Sequence, residues 1–501
     1  MSARAVRGGT GVVASGHPLA SAAALDVLRG GGNAADAAAT AALVLAVVAP
    51  HAVTLGGDLF ALVHDPKSGA VTGLNASGRS PRAADAARFV GSIPGTGPLA
   101  ATVPAMLRGV ADLLARHGTR DLATLIAPAT RFAEEGFPVH RTLAVACAER
   151  AALLAKDKAA RALFLPGGAP LAEGAVLRQP DLARILRRIA TEGVEAFYRG
   201  AIARELAAAS ARKGGLFTAE DFATHQSLWQ EPIAAPFYGY EVLTMPPNSY
   251  GATLLLQLRA LEEAGIHATE PASAAFITAG FAARQAAYRK TAGLIADPRF
   301  CETELRRMLA APAAGMVGEA RDRCTTCAVV IDRAGMAVSL IESISAPFGA
   351  GVVLDGTGIF LNNRMAGFDT DAASPNCVAP EKRPANTLAP CLVRKDGRLV
   401  MSIGTPGTVG QTCTLAQVLA RIIARGENPA AAAEAPRWSV DFKGALIVED
   451  TMDQDLRSAI PEARTVAAGW NSFGSIKLAA VTGDGFLGVA DGRRAAVALA
   501  F

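Results

Sequence analysis

The spacing of hydrophobic and polar positions changes along the chain. Residues 19–28 and 34–48 are Ala-rich with apolar positions at helical intervals, and Arg29-Gly30-Gly31-Gly32-Asn33 lies between them. Two helices joined by a glycine stop are predicted. Leu55-Gly56-Gly57-Asp58 then leads into residues 59–64, a short apolar run that reads as a strand. From Pro104 to about Leu206 the pattern is mostly helical, broken by Pro and Gly over 165–170. Residues 239–245 are strand-like and stop at Pro246-Pro247, and 254–264 are helical.

Near Ala320 the character shifts. Residues 327–332 and 336–341 are β-rich runs around Asp332-Arg333-Ala334-Gly335, a hairpin signal. Strands are predicted at 351–354, 389–393 and 399–403, and a helix at 412–424. A helix-rich first part therefore meets a strand-rich second part, with no internal repeat or low-complexity linker.

Composition narrows the class. With 501 residues, half of them hydrophobic, and 50 Gly and 28 Pro spread along the chain, the protein is globular with ample core. That length suits two domains or one large layered unit. A net charge of +4 without a Lys/Arg run gives nucleic acid or anionic membranes little to attract. The most apolar stretch, 37–50, falls short of the roughly 20 residues of a membrane span, and residues 1–16 lack a signal-peptide core. A soluble cytoplasmic protein is expected. The seven Cys are odd in number and scattered, which does not suggest a disulfide framework.

The junction carries Cys324-Thr325-Thr326-Cys327. Two Cys three apart suggest redox or metal chemistry. The redox reading needs a helix after the first Cys, and the metal reading needs a second Cys/His pair. Here the segment runs into a strand, and all seven His lie between His17 and His267. Two unpaired thiols are expected instead, with no metal and no cofactor. A Thr hydroxyl needs a base to act as a nucleophile. An N-terminal Thr supplies one in its own α-amine, whose pKa is near roughly 8, but only if the Cys324–Thr325 bond is first cut.

Several segments, in order along the chain, resemble the γ-glutamyltranspeptidase family. They are Gly31-Gly32-Asn33-Ala34-Ala35-Asp36-Ala37, Leu55-Gly56-Gly57-Asp58-Leu59-Phe60, Pro246-Pro247-Asn248-Ser249-Tyr250-Gly251, Thr325-Thr326, Phe348-Gly349-Ala350-Gly351 and Leu361-Asn362-Asn363-Arg364-Met365. The resemblance implies an α+β, four-layer αββα N-terminal-nucleophile sandwich. It also implies self-cleavage into a large fragment, 1–324, and a small one, 325–501. These together form one structural unit, a heterodimer with room to pair again. Thr325 is then the nucleophile, Ser343 the hydroxyl that supports it, and Gly407 and Thr408 the oxyanion site. The loop Gly404-Thr405-Pro406-Gly407-Thr408-Val409-Gly410 lies between a strand and a helix, a good place for N–H groups to meet an anion.

The acyl pocket departs from the family pattern. Where the family holds the α-ammonium of a γ-glutamyl group with Asn, Gln and Asp, this chain has Ser345, Arg364 and Gly367: an anion is lost and a cation gained. On the carboxylate side Ser77 replaces the family's Arg, with Arg79 two residues on, and Asn386-Thr387 replace a Ser pair. Asn75-Ala76-Ser77-Gly78, Leu340-Ile341-Glu342-Ser343, Asn363-Arg364 and Gly407-Thr408-Val409-Gly410-Gln411-Thr412 are more similar to the oxamate amidohydrolase-like branch. That branch implies hydrolysis, by water, of a small carboxylate-bearing amide without an α-amine. The alternative is a γ-glutamyltransferase or glutathione hydrolase with an altered pocket.

Overall fold

The computed structural model describes residues 4–89, 91–291, 293–301, 324–441, 443–469 and 471–501. Ala320, where the sequence changes character, and residues 1–3 lie outside these. Fourteen strands form two seven-stranded antiparallel sheets. In chain order they are β1 Arg4–Gly8, β2 Val12–Ser15, β3 Asp58–His64, β4 Val71–Ala76, β5 Leu228–Gln230, β6 Ile233–Phe237, β7 Tyr240–Thr244, β8 Cys324–Ile331, β9 Ala337–Ser345, β10 Cys391–Lys395, β11 Arg398–Gly404, β12 Lys477–Thr482, β13 Gly485–Ala490 and β14 Val497–Ala500. One sheet has the order β14-β2-β8-β9-β3-β4-β5 and the other β1-β13-β12-β11-β10-β7-β6.

Alternation along β8 shows why the sheets stack. Cys327, Val329 and Ile331 point into the core between the sheets, with Leu62, Ile341, Leu392 and Ala479. Ala328 and Val330 point the other way, into a core shared with helices α1 (Pro18–Arg29) and α2 (Ala34–Val48). A strand apolar on both faces is buried on both faces. The second sheet packs likewise against α3 (Gly251–Glu263), α4 (Ala274–Thr291) and α5 (Gln411–Leu419). The four layers are helix, sheet, sheet, helix.

Helix α2 is buried along its whole length, and its small alanines let neighbours approach from every side. Asn33 and Asp36 form a capping box at its start. The hairpin residue Asp332 accepts from Ala34 N–H (2.9 Å) as well as from Ala334 and Met336, tying the β8–β9 turn to α2. The expected helices, the β8–β9 hairpin and strands β3, β7, β10 and β11 are present. The strand expected over 351–354 contracts to Val353–Leu354, and the helix over 412–424 ends in a π turn from Ala420. The first part also holds more strand than its pattern suggested, because β1, β2 and β4–β6 are short segments within a helical background.

Gly56 and Gly57 permit the closest approach near β3. A methyl group on Gly56 would lie 2.0 Å from the Phe360 carbonyl oxygen, and one on Gly57 2.6 Å from that of Ser343. Both neighbours are backbone and cannot rotate away. Gly56→Ala is expected to destabilise the fold by about 1–3 kcal/mol, an overpacking penalty. A thermal melt of the purified variant checks this, and an unchanged Tm would show that 360 yields freely.

Candidate active site

β8 and β9 pair in register from Ile331–Ala337 to Thr326–Glu342, then slip. Cys324 faces Ser345, so Thr325 alone spans Ser343 and Ile344. The extra residue lies on β9, so alternation breaks over Ser343–Ile344, while β8 keeps Cys324 on the helical side and Cys327 between the sheets. Thr325 is 2% exposed, and its Oγ1 has no hydrogen-bond partner among the described residues. The Ser343 hydroxyl donates to the carbonyl oxygen of Cys324 at 2.5 Å and accepts the Ser345 N–H at 2.8 Å. Ser345 has φ +79°, which turns that N–H inward. A relay of two donors thus polarises the carbonyl of the bond before Thr325.

The glycine loop approaches the same place. Ser402 Oγ donates to Val338 O, Ser339 Oγ donates to Ile403 O, and Gly404 packs on Cys327 and Ile341. β11 therefore runs beside β9 in the same direction and delivers residues 405–408 toward the Thr325 end. Gly407 (φ +139°) and Thr408 (φ +57°) are consecutive positive-φ residues, and strain of this kind concentrates at functional loops. The Thr408 hydroxyl is buried and unpartnered among the described residues.

The pocket residues assemble around a group the sequence did not single out. Asp58, opposite Ser343 in the β9–β3 register, accepts Gly78 N–H (2.8 Å) and the Asn386 amide (2.9 Å). Gly78 is on Oδ1, and Arg364 Nε lies 2.9 Å from Oδ2, the oxygen that also accepts the Asn386 amide; both Asp58 and Arg364 side chains are wholly buried. Burial pushes the Asp58 carboxyl up from its ordinary range, while the guanidinium beside it pulls the other way. The expectation of a cation without an anion here is corrected: Asp58 restores the anion from a different strand. Ser77 joins the same network through Asn75 and Asn248. Thr387 Oγ1 is buried and unpartnered among the described residues. Arg79 donates to Thr224 O and pairs with Glu381 at 3.6 Å. Arg383, also unforeseen, is buried with its guanidinium on Gln226 O. Burial lowers its pKa to about 10, so it stays cationic at neutral pH.

None of the seven cysteines is in a disulfide. The described residues contain no group of three or more His, Cys, Asp or Glu placed to hold a metal, and no helix among them is long and apolar enough to cross a membrane.

Two antiparallel sheets between helical layers, with a threonine at the head of a central strand, define an N-terminal-nucleophile hydrolase. The γ-glutamyltranspeptidase family model matches residues 20–501. A glutathione hydrolase proenzyme of Bacillus subtilis (strain 168) is 31% identical over 496 residues, covering 90% of this chain and 84% of that one. The oxamate amidohydrolase proenzyme of Klebsiella pneumoniae is 32% identical over 451 residues, covering 85% and 84%. The crystal structure of cephalosporin acylase from Bacillus halodurans superposes with a TM-score of 0.90 at 30% identity, covering 99% of this chain and 97% of that one. The chain belongs to the γ-glutamyltranspeptidase family of self-processing amide hydrolases.

One buried acid lies beside the site but faces away from it. Alternation from Leu340 and Ile341 points Glu342 to the helical side of its sheet, and neither carboxyl oxygen has a partner among the described residues. Burial pushes its pKa well above 4.5. The folded chain therefore keeps a proton that the unfolded chain releases, and stability falls as pH rises from 4.5 toward the folded value. Glu342→Gln cannot ionise, so its Tm relative to the parent should climb with pH across that range, by up to about 1.4 kcal/mol of stability per unit. A pH-independent difference would mean that Glu342 is charged in the folded chain.

Proposed function

We propose that Thr325 first cuts its own chain and then serves as the nucleophile of a small-amide hydrolase. The observation that carries this is the hydrogen bond from Ser343 to the Cys324 carbonyl beside a Thr325 hydroxyl that has no partner among the described residues. Thr325 Oγ adds to the polarised Cys324 carbonyl carbon, and the C–N bond breaks as the nitrogen takes up a proton. Water then hydrolyses the ester, leaving a Cys324 carboxylate, the Thr325 hydroxyl and a free α-amine. That cut defines fragments 1–324 and 325–501 and releases Ser343 to support the nucleophile.

In turnover the α-amine accepts the Thr325 hydroxyl proton as Oγ attacks the substrate carbonyl. Charge on the carbonyl oxygen falls to backbone N–H groups at Gly407 and Thr408. The amine leaves with a proton, and water hydrolyses the acyl-threonine. Thr325→Ala should give one uncut, inactive chain of 501 residues. Ser343→Ala should slow the cut, seen as persistent full-length chain on a denaturing gel. Detection of a fragment beginning at residue 325 in Thr325→Ala would overturn the assignment.

For the acyl group, the reading is a carboxylate-bearing amide without an α-amine, an oxamate-like amide or a dicarboxylate monoamide. Arg364 brings a guanidinium to this corner beside Asp58, and Asn386 and Thr387 add polar groups. Arg is well shaped for a carboxylate. A γ-glutamyl substrate is the second reading, and Asp58, an anion in the pocket, is the observation that favours it. Turnover of glutaryl-p-nitroanilide should exceed that of γ-glutamyl-p-nitroanilide. The reverse order would reject the amine-free reading.

A further inference from the structure

We infer that Asp58 is an ammonium acceptor held shut by Arg364: with the guanidinium in place the acyl corner rejects an α-amine, and without it the corner would accept one. The inference rests on the reading that residue 364 faces the acyl group. It goes further by assigning discrimination to a pair of side chains rather than to the loss of one.

Asp58 is fully buried, and its carboxylate oxygens meet two neutral donors, Gly78 N–H and the Asn386 amide, and one cation, Arg364. The neutral donors orient the carboxylate without cancelling its charge. The guanidinium cancels it, at 2.9 Å and with no exposure to solvent on either side. A substrate ammonium entering this corner meets an anion already matched by a cation, and is repelled by that cation. A substrate carboxylate is drawn to the same guanidinium, whose fork of five N–H donors is shaped to bind carboxylate. Removing the cation leaves a buried carboxylate whose remaining need is a cationic donor, which an α-ammonium supplies. Removing the anion instead strips Arg364 of its internal competitor for a carboxylate. The two halves of the pair should therefore shift selectivity in opposite directions.

The test is the ratio of kcat/KM for γ-glutamyl-p-nitroanilide to that for glutaryl-p-nitroanilide, measured on one preparation of each variant. Both substrates draw on the same processed molecules, so the ratio does not depend on how much of the chain has matured. Arg364→Gln should raise the ratio at least about tenfold. Arg364→Lys, which keeps the charge, should leave it low. Asp58→Asn should lower the ratio, and Arg364→Gln combined with Asp58→Asn should lose the gain of Arg364→Gln. If Arg364→Gln matures poorly, Asp58→Asn still gives a signed result. A gain that survives in the double variant, or a ratio unmoved by both single changes, overturns the inference. The parent's own preference tests the amine-free reading, whereas the direction in which variants move it tests the lock.

Discussion

Side chains along a β-strand alternate strictly between faces, so a strand can aim one residue differently only by breaking its register with a neighbour. β8 and β9 are matched residue for residue until Thr326 and Glu342, and the single slip is one extra β9 residue, in Ser343–Ile344, opposite Thr325. The surrounding structure is arranged to keep that slip in place. Gly16 leaves room for Thr326, Gly57 lets β9 approach the turn before β3, and Asp332 anchors the far end of the hairpin to α2. The hydroxyl of Ser343, set within the slip, has the Cys324 carbonyl as its acceptor.

Polar groups buried without partners are costly and are few in native proteins. Among the described residues three such hydroxyls, those of Thr325, Thr387 and Thr408, belong to segments that converge on one end of the central sheets. The charged groups nearby are treated differently. Asp58 is matched oxygen by oxygen, with Arg364, Asn386 and Gly78 all directed at it. This end of the sheets thus combines unpartnered hydroxyls with a charge pair held tightly by side-chain and backbone donors.

How much of this was legible in the sequence follows from distance along the chain. Thr325, Ser343 and the 404–410 loop were readable because each lies within a short motif whose local conformation is the relevant fact. The helices at 18–29 and 34–48 were readable from apolar spacing and the glycine stop between them. Helix α4, 274–291, passed unnoticed because its apolar residues are spread around the helix rather than gathered on one face. β1, β12, β13 and β14 likewise lack a distinctive pattern, since only their pairing makes them strands. Asp58 escaped notice for a different reason. Its charge acquires meaning only beside Arg364, a residue 306 positions away, and no local spacing records that encounter.

The order of strands has a consequence for the molecule after maturation. Strands β1–β7 lie before residue 324 and β8–β14 from it onward, yet each sheet interleaves the two groups. Their boundaries fall at β1/β13 and β10/β7 in one sheet and at β14/β2, β2/β8 and β9/β3 in the other. With the bond at 324–325 cut as proposed, the two polypeptides would share no single surface along which they could part. Dilution has no purchase on such a complex, because separating the pieces means dismantling both sheets at once. An enzyme cut there would be two chains by chemistry and one body by mechanics.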